Sequence, residues 1–66
     1  MTTTTIDTID YRDNMAASVI LSQSARKERA IAEQFADYPA IARHAISQAE
    51  ACERVAATLD RMRERS

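Results

Sequence analysis

The residues best suited to chemistry are few: Glu28, His44, Cys52 and the run Arg26-Lys27-Glu28-Arg29. A cysteine beside a histidine would give a nucleophile and its base. Cys52 and His44 are eight residues apart, and on one helix that is about 12 Å of rise. An intrachain dyad is therefore excluded, and Cys52 reads as a small hydrophobe while His44 reads as a solvent or rim residue. Glu28 has no second acid on its helix face with which to form an acid/base pair. Carboxylate metal centres in bundles need Glu-x-x-His motifs or several inward acids, and a small zinc module needs more than one Cys and one His. We expect no catalytic residue, no metal, no cofactor and no enzyme.

The basic run has a different use. With Arg43 and His44 from downstream, Arg26, Lys27 and Arg29 form the candidate contact set for a partner or a nucleic acid. Glu33 and Asp37 dilute this patch, and the net charge of −1 lacks the basic excess of an avid, non-specific nucleic-acid binder. Arg54, Arg61, Arg63 and Arg65 near the C-terminus suit the negative end of a helix dipole.

The elements that carry these residues follow from composition. Sixty-six residues make one small domain, and chains of this size bury only about 60% of their unfolded surface. The chain holds no Gly, one Pro and thirteen Ala, so turn-rich β architecture is excluded and helix remains. No apolar run approaches a membrane span and no signal-peptide core follows Met1. We expect a cytoplasmic chain with no membrane partner and with Cys52 reduced.

Residues 1–8 read as a flexible Thr-rich leader, with Asp7, Thr8 and Asp10 as N-cap candidates. A first helix is expected over about 9–37 and a second over about 39–64. Tyr38-Pro39 is the breaker, because a residue preceding proline is pushed out of the helical region and proline is tolerated only in a first turn. Two arms of similar length around a turn at about 37–39 predict an antiparallel helical hairpin, an all-α fold.

Heptad spacing supports the fold-back. Ala17, Leu21, Ser24, Glu28, Ile31 and Phe35 match Leu59, Val55, Cys52, Gln48, Ala45 and Ile41 in antiparallel order. Ser24, Glu28 and Gln48 would then form a polar core layer that fixes register. A second register runs beside it: Ser18, Ala25 and Ala32 against Ala56, Ala49 and Ala42, two columns of small residues that permit close approach. Met15, Val19, Ile20 and Ile46 lie beyond the first seam and are the candidate self-association residues. Covering them with a second copy would give a homodimeric four-helix bundle.

The stretch Ile31-Ala32-Glu33-Gln34-Phe35 followed by Ile41-Ala42-Arg43-His44-Ala45-Ile46 resembles the helix-turn-helix of bacterial DNA-binding regulators. The resemblance covers about a quarter of the chain. It departs from the pattern at Ala36, where glycine is usual, and at Asp37, where an apolar residue packs between the helices. It implies that Pro39, Ala40, Arg43 and His44 face a DNA groove and that the helices cross near a right angle. In size and layout alone the chain is also similar to plasmid RNA-binding four-helix bundles.

The sequence thus predicts a small non-enzymatic protein–protein interaction module, an inhibitor or adaptor that docks on a larger macromolecular complex. Small proteins of this design are associated with bacteria, phages and plasmids, a fold-level association only. The alternative is a small nucleic-acid-binding regulator using residues 31–46 or the basic face of a hairpin dimer.

Overall fold

The computed structural model describes residues Asp10–Arg65; the expected leader and the cap candidates Asp7 and Thr8 lie outside the described residues. Two helices, α1 (Tyr11–Gln34) and α2 (Pro39–Arg65), are the only regular elements among them. They fold back on one another as an antiparallel hairpin, 51 Å long, 19 Å wide and 15 Å thick.

Asp10 is the N-cap of α1, with an extended backbone (φ −58°, ψ 141°). Its carbonyl accepts the first helical bond from the Asn14 amide at 2.9 Å. Its side chain makes no capping hydrogen bond, so the acidic help at this end comes from the charge of Asp13 in the first turn. The helix is continuous through Ser22 and Ser24. It ends at Gln34, three residues before the expected limit of 37.

The early stop follows from the proline. Tyr38 must leave the helical region, and the chain reaches it through a tight four-residue turn. The Phe35 amide still bonds the Ile31 carbonyl at 2.9 Å, Ala36 reaches Glu33 at 3.3 Å, and Tyr38 closes on Phe35 at 2.9 Å. The Tyr38 carbonyl then accepts from the Ala42 amide at 3.0 Å, which makes Tyr38 the cap of α2 and Pro39 its first residue. No described residue has a positive φ, so the turn is made without the left-handed conformation that glycine would favour. The Phe35 and Tyr38 rings meet edge to face, 6.1 Å apart.

The seam between the helices is the column of small residues. Ala25, Ala32, Ala45, Ala49, Ala56 and Leu59 are the buried apolar residues, with Ser18 and Asn14 beside them. The contact is shifted toward the second register but keeps Ala45 and Leu59 of the first: Ala17, Leu21, Ser24, Glu28, Ile31, Phe35 and Cys52 are half-buried, while Ile41, Gln48 and Val55 are exposed. Residue size explains the shift. Alanine columns let the axes approach closely, and the bulkier chains are left on the flank.

Candidate interaction surface

At the open end of the hairpin, where α1 begins and α2 ends, four side chains form a polar clasp. Asn14, only 3% exposed, donates from Nδ2 to the Leu59 carbonyl at 2.9 Å. Its Oδ1 accepts from Arg63 Nη1 at 2.7 Å. Arg63 Nη2 donates to Asp60 Oδ1 at 2.7 Å, and Ser18 Oγ donates to the same oxygen at 2.8 Å. The Ser18 hydrogen bond first, and Arg63 second, hold the Asp60 carboxyl below its ordinary range. The buried amide of Asn14 is thus served on both its donor and its acceptor sides, as a buried polar group requires.

Nearer the turn, Arg29 and Glu53 make a two-pronged pair across the helices. Nε and Nη2 of Arg29 donate to Oε2 and Oε1 of Glu53, both at 2.9 Å. The pair is about half exposed. Its hydrogen bond raises the Arg29 pKa and lowers that of Glu53.

These bonds define the two sides of the hairpin. Helical spacing puts Met15, Arg26 and Arg29 of α1 on the same side as Ile46, Glu50 and Glu53 of α2, a largely charged surface. The other side carries Ile20 and Ile31 of α1 and Ile41 and Val55 of α2. There Ile20 is 60% exposed, Ile41 45% and Val55 49%, while Leu21, Ile31, Phe35, Cys52 and Met62 are half-buried. These residues make an apolar face that draws on both helices, with Ser24, Glu28 and Gln48 lying among them.

The self-association candidates are all exposed, but they do not form one patch. Ile20 belongs to the apolar face, whereas Met15, Val19 and Ile46 lie toward the Arg29–Glu53 side. Ser24 and Glu28 are half-buried and Gln48 is exposed. No hydrogen bond joins the three among the described residues. The polar layer between the helices is instead the buried Asn14 and Ser18 with the half-buried Asp60 and Arg63. A sequence signal for it existed: Arg63 continues the Ala42, Ala49, Ala56 column by one heptad, and Asn14 sits one turn before Ser18.

Arg26, Lys27, Arg29, Arg43 and His44 are exposed. They are not brought into one cationic site, because Arg29 is engaged by Glu53 and Arg43 belongs to the turn end of α2. Cys52 is a half-buried free thiol on the same helix as His44. Among the described residues no three His, Cys, Asp or Glu side chains group as a metal site, and no helix is long and apolar enough to cross a membrane. The fold-back of residues 31–46 is antiparallel, not the near-perpendicular crossing that the helix-turn-helix resemblance implies.

The class defined by fold and surface is an all-α two-helix hairpin with one uncovered apolar face. No protein-family model matches the chain, and comparison with curated proteins and with solved structures found no match.

Proposed function

We propose that this chain is a small, non-enzymatic protein–protein interaction module that works as a homodimeric four-helix bundle. In this reading the bundle acts as an inhibitor or adaptor by docking on a larger macromolecular complex. One observation carries the reading: the buried apolar residues are alanines apart from Leu59, while Ile20, Ile41 and Val55 are exposed. A buried methylene contributes about 0.8 kcal/mol, and ordering a residue costs about 1.5 kcal/mol. A seam made mostly of alanine therefore leaves a lone hairpin marginal, and covering Ile20, Ile31, Ile41 and Val55 is the available remedy.

Size-exclusion chromatography with light scattering tests the assembly. The expected mass is twice that of the 7.4 kDa chain, and Ile20→Asp with Val55→Asp should yield monomer that is largely unfolded. A stable folded wild-type monomer at micromolar concentration would overturn the reading. Docking on a larger complex is tested by purification from the native host and reconstitution from pure components; a dimer that reconstitutes with no co-purifying complex would remove the inhibitor or adaptor role. The nucleic-acid alternative would have to use Arg26, Lys27, Arg43 and His44, which are exposed, because Arg29 is engaged by Glu53. Retention of DNA or RNA at low ionic strength, where phosphate contacts are strongest, would favour it.

A further inference from the structure

Cross-helix bonds place Arg63 beside Asn14 and Glu53 beside Arg29, which matches the two helices zone by zone along the hairpin. Read by height, the open face has three zones. Ile20, Leu21 and Val55 form an apolar zone toward the open end. Ile31, Phe35 and Ile41 form another toward the turn. Between them lies a polar waist of Ser24, Lys27, Glu28 and Gln48. The apolar-polar-apolar order is nearly the same from either end, the pattern of a surface able to meet its own copy under a twofold axis.

We infer that the occupant of this face is a second copy with its turn at the opposite end, so that Lys27 of each chain approaches the partner's Glu28 at the waist. The inference rests on the dimeric reading above and goes further by fixing the arrangement. Two dockings keep twofold symmetry. With both turns at one end, α1 lies over the partner's α2, and Lys27 faces Ala51 and Gln48 of the other copy. With turns at opposite ends, α1 lies over the partner's α1, running the other way, and the waist falls on itself.

Charge decides between them. Glu28 is half-buried already, and among the described residues no side chain of its own chain is hydrogen-bonded or ion-paired to it. Covering the face would bury this carboxylate further, which is costly without a cation or donor. The same-end docking offers it only the neutral Gln48 amide of the other copy, whereas the opposite-end docking brings a lysine, and symmetry supplies that contact twice. The same docking sets the Ile20 zone over the partner's Ile31 zone. A hairpin surface 51 Å by 19 Å has room for the ~800 Å² per partner that a specific interface uses.

The test is a distance. A spin label on Asp37→Cys at the turn, in a Cys52→Ser background checked by light scattering to remain dimeric, reports how far apart the two turns lie. With Lys27 over the partner's Glu28 the twofold axis lies about 14 Å of helix rise from each Asp37, so a separation of about 30 Å supports opposite ends. Separation near its 19 Å width overturns this arrangement while leaving the dimer intact. A monomeric wild-type chain would overturn both. Should the labelled variant fail to dimerise, charge exchange in the otherwise native chain decides. Lys27→Glu should weaken the dimer about tenfold, and adding Glu28→Lys should restore it. A double variant as weak as Lys27→Glu alone would overturn the pairing.

Discussion

Between the helices lie Ala25, Ala32, Ala45, Ala49 and Ala56, none more than 8% exposed, whereas the outer face presents Ile20, Ile41 and Val55 at 45–60%. A self-sufficient globule distributes its residues the other way, because a buried isoleucine or valine contributes about 1.5–3 kcal/mol and an alanine methyl much less. The inner seam therefore determines how closely the helices approach, and the outer face holds most of the hydrophobic driving force in reserve. The two regions have different tolerances. The seam should reject added volume, while the face should reject added charge.

The largest effect within one chain is expected from filling the seam. Ala49 is 0% exposed, so Ala49→Leu must push the helices apart, and overpacking of this kind costs about 1–3 kcal/mol. In a domain of this size each kcal/mol lowers the melting midpoint by about 4–8 °C. Circular dichroism at fixed protein concentration reads the change. A neutral or stabilised Ala49→Leu would show that the seam is not closely packed and would dissolve the contrast with the face.

Next comes the clasp that closes the seam. Asn14→Ala removes the bond to the Leu59 carbonyl and leaves one prong of Arg63 without its acceptor. The expected loss is about 1–2 kcal/mol, spanning the upper range for neutral hydrogen bonds and the lower range for charge-assisted ones. Thermal melts of Asn14→Ala beside Ala16→Gly, an exposed neighbour that perturbs only helix propensity, separate the clasp from a local weakening of α1. Equal losses would mean that the clasp adds nothing to the seam.

The hairpin itself was legible in the sequence because two independent signals agree. Tyr38-Pro39 interrupts the helical run, and the apolar spacings on either side match in antiparallel order. Which register makes the contact was not decided by spacing, since the seam through Leu21 and Val55 and the column through Ala25 and Ala49 have the same period. Side-chain volume decides it, by letting the alanine columns close first. The clasp was hidden for another reason. Arg63 among the terminal arginines is what a helix dipole favours, and that account is sufficient until Asn14 is seen across from it. Ser24 and Glu28 are half-buried and Gln48 is exposed, on the open flank rather than between the helices.

Acid sharpens the distinction between clasp and face. The folded-state pKa of Asp60 is lowered, first by the Ser18 hydroxyl and then by Arg63. A lowered carboxyl pKa contributes stability that is present above its unfolded value of about 3.9 and is lost as the pH falls through the lower folded value. Glu53, lowered by the Arg29 hydrogen bond, has the same sign. Melting midpoints should decline below about pH 4, and Asp60→Asn should flatten part of that decline. Parallel pH profiles for the two proteins would separate Asp60 from the acid response.

The smallest change is expected on the charged side. Arg29 and Glu53 are close and doubly bonded, yet both are about half exposed, and water screens and competes for such pairs. Arg29→Ala should move the melting midpoint less than Asn14→Ala does. The difference from wild type should shrink further in molar salt, where the screening length falls to about 3 Å. The clasp should keep its effect in the same salt, because Asn14 is buried and its bond to Leu59 involves no ion. If Arg29→Ala cost as much as Asn14→Ala, and kept that cost in salt, the charged side would be as much a part of the fold as the clasp. The open face would then be the one surface of the hairpin not already committed to holding its two helices together.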